Sequence, residues 1–281
     1  MNLRNDLQGK YLSIWEYVNN SFDVFGAFVK KHPLIIFFHF LFSVTLSFLY
    51  SFILWTPLGK LYKITLQGKR YTSEYDSLFF PVIICLLSCI IVSGIIELFV
   101  AIIRKKIGLE IENRIKEFKV SEIIVKFIIM VFINILIGAI IGISAGMLLK
   151  FINPLILVSV IFFILKLNFL YFKQAYYLRD INIIEALKYN FHLIKRKRLV
   201  ILIPLAIIFF IALLVNQFYG LILELMIKNL LILGILSSIA TGIIKTISEI
   251  FATTIENVVY LNLEYMDLKK LEDNKFEGEI L

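Results

Sequence analysis

The stretch FIIMVFINILIGAIIGISAGMLL, residues 127 to 149, decides how this chain is read. It is uncharged and, at 1.5 Å of rise per residue, long enough to cross the roughly 30 Å of hydrocarbon in a bilayer. Asn134, Gly138, Gly142 and Gly146 recur in it at four-residue steps, so one helix face lacks bulky side chains and lets a neighbouring helix approach closely. The run turns at Lys150-Phe151-Ile152-Asn153-Pro154 and a second apolar run continues to Phe172. A helical hairpin of membrane length is therefore expected at the centre of the chain.

The same pattern repeats outward in both directions. Sixty per cent of the 281 residues are apolar, against 45–50% in ordinary soluble domains, and the mean hydropathy is +0.88. The runs are continuous rather than alternating with period two, which points to helices and away from barrel strands. Spans are expected at Leu34–Trp55, Ser77–Ile103, Phe127–Leu149, Ile152–Phe172 and Leu199–Leu223. The last apolar region, Asn229 to Asn262, is longer than one crossing needs. Either it spans at Asn229–Ser248 and continues at the interface, or it spans later, at Gly234–Tyr260; the later register is preferred. The expected fold is an all-α polytopic bundle of six transmembrane helices. It divides into an amphipathic segment at 1–33, a transmembrane domain at 34–262 and a short charged tail at 263–281.

Charge sets the threading. Of the 29 Lys and Arg residues, 21 lie before span one, between spans two and three, between four and five, and after six. Six lie on the opposite side, four of them in the first loop (Lys60, Lys63, Lys69 and Arg70). By the positive-inside rule both termini are expected to be cytoplasmic. The net charge of +8 flanks apolar runs, where anionic headgroups would meet it, and no soluble basic domain remains for nucleic acid. Three charged segments also carry amphipathic stripes suited to the membrane surface or to packing against span ends. These are Trp15, Val18, Phe22, Phe25 and Val29; Ile107, Ile111, Ile115 and Phe118; and Ile184, Leu187, Phe191 and Ile194.

Ionisable residues inside spans are costly and mark candidate function. Glu97 and Lys166 lie seven residues before Arg104 and Lys173, at equal depth on two spans of the same direction. They are expected either to pair or to snorkel separately to the interface. Lys245, Glu249 and Glu256 share a face of the last helix, as a water-lined path or as a polar stripe on a helix leaving the membrane. Gly234, Ser238 and Gly242 form a second small-residue seam, a candidate neighbour for Gly138, Gly142 and Gly146. Cys85 and Cys89, one turn apart, read as small packing residues. His32, His39 and His192 are scattered. No HExxH, CxxC, GxxxxGK[ST] or GxSxG motif is present, so neither a catalytic residue nor a metal or cofactor is expected.

Three stretches carry a likeness. These are Ser21-Phe22 to Phe28-Val29-Lys30-Lys31-His32-Pro33; Ile184-Glu185-Ala186-Leu187-Lys188 to Leu193-Ile194-Lys195-Arg196; and Phe251-Ala252-Thr253 to Val259-Tyr260-Leu261-Asn262-Leu263. They resemble a group of bacterial six-helix membrane proteins that includes the membrane domain ahead of some glycerophosphodiester phosphodiesterases, together with uncharacterised stand-alone relatives. The resemblance implies six helices, cytoplasmic termini and no catalytic residues. A non-enzymatic protein that binds or organises lipid, another membrane protein or itself is expected. The second expectation is a small transporter or permease subunit using the intramembrane charges.

Overall fold

The computed structural model describes residues 3–54, 73–148, 164, 168–227 and 229–279, and all regular structure among them is helical. In chain order these are α1 (Leu3–Gly9), α2 (Ile14–Lys31), α3 (Pro33–Phe48) with a π-helical extension (Leu49–Leu54), and α4 (Ser73–Ile111). A 3₁₀ turn (Ile115–Glu117) precedes α5 (Val120–Leu148), α6 (Phe172–Leu178), α7 (Ile183–Met226) and α8 (Leu230–Glu279). Five of the described helices are long and apolar enough to cross a membrane: Pro33–Ser51, Phe80–Ile111, Val120–Ala139, Arg198–Leu223 and Ile232–Leu271. This is the make-up of a helical membrane bundle. Most of the run expected as the fourth span, 152–172, lies outside the described residues.

The helix boundaries follow from local chemistry. Ser13 and Glu16 form a capping box at the start of α2: the Ser13 amide donates to Glu16 Oε2 at 2.7 Å and the Glu16 amide to Ser13 Oγ at 3.3 Å. Asn182 and Glu185 repeat the device before α7, at 3.1 and 2.9 Å. Pro33 occupies the first turn of α3, where its missing N–H costs nothing. The end of α4 is a Schellman motif, in which the Arg114 amide donates to Leu109 O at 2.8 Å and the Asn113 amide to Glu110 O at 3.2 Å. Asn113 supplies the left-handed residue this closure requires, at φ 59°.

Close contacts divide the chain into two compact units. The first comprises Met1–Phe28, Ala101–Ala206 and Phe251–Leu281; the second comprises Val29–Val100 and Ile207–Ile250. The first has a dense core in which Tyr17, Ile107, Tyr171, Ile194, Ile255 and Tyr260 are fully enclosed. The second has a thin one, with Leu46, Cys89 and Ile96 packed by Phe42, Val92 and Val100. Its outer faces carry exposed side chains such as Ile90, Phe209 and Phe218, as expected where lipid is the solvent.

Leu263, Glu264 and Met266 are buried in the first unit, and α8 continues without a break to Glu279. Its puzzling length has the same cause, because the helix runs on as the centre of a protein core. The charged segment after the second span is not a separate amphipathic helix. Ile107 and Ile111 are buried in the last turns of α4, whereas Ile115 is exposed beyond the Schellman closure.

In the other two amphipathic segments only part of the apolar stripe is buried within the protein. In α2 the buried positions are Tyr17, Ser21 and Phe28, about 100° round the helix from the expected stripe. Trp15 and Phe22 remain 71% and 57% exposed. In α7 Ala186, Asn190, Leu193 and Ile194 (the last a member of the expected stripe) are buried, whereas Ile184 and Phe191 remain 64% and 47% exposed. Asn190 is held on the inward face of α7 by accepting from the Tyr171 amide at 3.0 Å and donating to Asn168 O at 2.7 Å.

Candidate functional site

The first unit gathers charge around α8. Arg104, near the end of α4, is buried and donates through Nη2 to Glu256 Oε2 at 2.9 Å; Gln174 Nε2 of α6 donates to the same oxygen at 2.6 Å. The next residue of α8, Asn257, donates through Nδ2 to Arg104 O at 2.8 Å. Thus a carboxylate, an amide and a guanidinium close the α4–α6–α8 contact with charge-assisted bonds.

Arg179, just after α6, clasps two buried carboxylates. It donates to Glu112 from Nη1 at 3.0 Å and from Nη2 at 2.7 Å, and to Glu264 from Nε at 2.8 Å with a further short bond from Nη2. Tyr265 donates to Glu112 Oε1 at 2.9 Å. Burial pushes the Glu112 carboxyl up, but the Arg179 hydrogen bonds and charge, with Tyr265 and Arg114, outweigh it and hold the group below the usual carboxylate range. Burial alone would lower the Arg179 guanidinium, yet Glu264 and Glu112 together keep it above its ordinary value.

Asn262 binds the N-terminal segment to the same helix. Its Oδ1 accepts from the Leu12 amide at 3.2 Å and from the Tyr17 hydroxyl at 2.6 Å, and its Nδ2 donates to Leu7 O at 2.7 Å and Lys10 O at 2.8 Å. All of the amide's polar capacity is used.

Beside the Arg179 cluster lies a cavity of about 370 Å³ lined by Lys105, Leu109, Arg114, Lys116, Glu117, Lys119, Glu122, Leu178, Arg179 and Asp180. It is formed by the end of α4, the connection beyond it, the first turn of α5 and the segment after α6. Five of its side chains are cationic and three anionic. Such a wall can hold an anion of phosphate size; it presents no nucleophile poised beside a general base.

The second unit contains a separate polar cluster. His39 of α3 is fully buried, with Nδ1 3.3 Å from Thr246 Oγ1 and Nε2 3.1 Å from Glu249 Oε2. The latter contact has ion-pair distance without hydrogen-bond alignment. Lys245 Nζ lies 3.7 Å from Glu249 Oε1. Ser43 Oγ, one turn along α3 from His39, and Ser238 Oγ of α8 are buried without a hydrogen-bond partner among the described residues.

The residues expected from sequence are therefore dispersed. Glu249 meets both Lys245 and His39, whereas Glu256 belongs to the Arg104–Gln174 cluster of the first unit. Glu97 is exposed on α4, and Lys166, its expected partner, lies outside the described residues. Gly242 packs on Val44 of α3, whose backbone N and Cα lie 3.0 Å from where a Cβ would stand. Ser238 is buried and Gly234 half-buried on the same helix. Among the described residues nothing lies within 4 Å of the Cβ position of Gly138. Gly142 and Gly146 lie on α5, with surroundings outside the described residues.

Arg179, Glu112, Glu264, Gln174 and His39 were not singled out by sequence reasoning. Their signal was faint: charges outside the spans look solvated until tertiary contacts enclose them. His39 was visible only as one histidine in an apolar run. Among the described residues no three His, Cys, Asp or Glu side chains come together to hold a metal.

No protein-family model matches the chain, and neither a curated protein nor a solved structure matches it.

Proposed function

We propose that this is a non-catalytic, six-span protein of a bacterial cytoplasmic membrane, with both termini inside, that binds and organises lipid through its interfacial helices. The observation that carries the reading is a repeated surface on α2 and α7. Counting from the capping residues Ser13 and Asn182, each helix leaves an apolar side chain exposed at the second position (Trp15, Ile184) and the ninth (Phe22, Phe191). Both helices then run into basic residues, Lys30 and Lys31 or Lys195 and Arg198, which are exposed. Large apolar side chains beside a basic helix end suit the boundary between acyl chains and anionic headgroups. The likeness to the membrane domain found ahead of some phosphodiesterases accords with a binding role free of chemistry.

Native mass spectrometry of the protein extracted gently from its own membrane tests this. Anionic lipid should be retained by the native protein and reduced at least several-fold by Trp15→Ser, Phe22→Ser, Ile184→Ser and Phe191→Ser combined. An unchanged lipid count defeats the lipid reading. A co-purifying protein lost with the same four changes would replace lipid by a membrane-protein partner.

The second reading, a small transporter, draws on His39, Glu249 and Lys245. A buried imidazole against an intramembrane carboxylate is the kind of arrangement that carries protons or coupled solutes. In vesicles loaded with a pH-sensitive dye, proton flux abolished by Glu249→Gln or His39→Leu would favour it over the lipid reading.

A further inference from the structure

We propose that the cavity bounded by Lys105, Lys116, Lys119 and Asp180 is a binding site for a phosphate-bearing anion, a lipid headgroup or a soluble phosphate ester. Its charges separate into those already engaged and those left over. Arg179 is held by Glu112 and Glu264. Glu117 takes two hydrogen bonds from Arg114, at 2.8 and 2.5 Å. Glu122 lies 3.3 Å from Lys126 and 3.8 Å from Lys105. The remaining groups are Lys116, Lys119 and Asp180, which make no hydrogen bond or ion pair among the described residues. Two cations therefore face one uncommitted acid.

Lys105 adds to the excess. Its ammonium is buried and donates to Leu178 O at 3.2 Å, which leaves donor capacity on a group with three N–H bonds. Lys119 and Glu122 both line the cavity, which places the N-terminal turn of α5 at its wall. That turn's unbonded amides carry partial positive charge and favour anions. A dianionic phosphate bound there would meet Lys116 and Lys119, which make no ion pair among the described residues, beside Lys105, whose ammonium lies 3.8 Å from Glu122. The connection at 112–119 is fastened by the Schellman closure and the Arg114–Glu117 pair, so the lysines are presented from a fixed frame.

The site names a ligand class for the lipid reading, and it rests on that reading only for the lipid as source. The test uses the full chain purified in a neutral detergent and then in nanodiscs. Calorimetry with glycerol phosphate probes the soluble source, and phosphatidylglycerol nanodiscs against phosphatidylcholine nanodiscs probe the lipid. Removing a lysine beside a phosphate should weaken binding about fivefold, so Lys116→Gln with Lys119→Gln should cost about 25-fold. Asp180→Asn should tighten it. Glycerol phosphate binding with these effects supports the site with a soluble ligand; the same effects confined to phosphatidylglycerol support it with lipid. Unchanged affinity in the double lysine variant, or no binding of either ligand, overturns it. The variant lacking Trp15, Phe22, Ile184 and Phe191 should bind glycerol phosphate as the native protein does, so failure of the lipid reading remains distinguishable from failure of the site.

Discussion

Arg179 grips Glu112 through both terminal nitrogens, at 3.0 and 2.7 Å, while its Nε holds Glu264 at 2.8 Å. One guanidinium thereby joins the end of α4 to the middle of α8. Two carboxylates drawn out of water are tolerable only while that cation stays between them.

Arg179→Gln should therefore destabilise the folded protein by about 3–5 kcal/mol at neutral pH. The pH dependence should also change sign. In the native protein the Glu112 carboxyl lies below its ordinary value, so its contribution is present above about pH 4.5 and is lost as the pH falls through the lower folded value. In the variant, burial without a cation raises the carboxyl, so stability should increase on acidification from pH 7. Thermal unfolding in detergent between pH 3.5 and 7 measures both slopes; parallel curves would contradict the assignment.

Asn262→Leu removes the acceptor for the Leu12 amide and the Tyr17 hydroxyl and the donor for two carbonyls. Leaving such groups buried and unpaired should cost about 3 kcal/mol. The loss should be local: limited proteolysis should cut residues 3–17 much faster, while the apolar helices keep their protection. Uniform sensitivity along the chain would mean that the N-terminal segment is not fastened independently.

Gly242→Leu places a side chain against the backbone of Val44 and should destabilise by about 3 kcal/mol, since backbone cannot step aside as a side chain can. Gly138→Ala adds a Cβ with nothing within 4 Å among the described residues and should change stability by less than about 0.5 kcal/mol. Gly108→Ala is intermediate, because its Cβ would meet only the flexible end of Leu178. Thermal shifts of the three variants should fall in that order.

Much of the helical architecture is legible in the sequence because lipid imposes a uniform rule: a span must be apolar, long and internally hydrogen-bonded. The runs at Leu34, Phe127 and Leu199 satisfy it without reference to any neighbour. The capping pairs Ser13–Glu16 and Asn182–Glu185 are equally local, since each partner lies one turn from the other. Tertiary structure decided everything that depends on which charges are buried. Arg104, Glu112, Arg179 and Glu264 look like solvated residues in a one-dimensional reading; the enclosure that makes them a core comes from segments 67 to 153 positions away, as Arg179–Glu112 and Tyr265–Glu112 illustrate. Tertiary structure likewise decided which residues of α2 and α7 face the protein, because a hydropathy stripe cannot register that Ser21 and Asn190 will be packed inside. What sequence determined was the solvent each segment needs. What only the tertiary structure decided was which polar groups find partners there, because pairing is a property of distance in space and not of order along the chain.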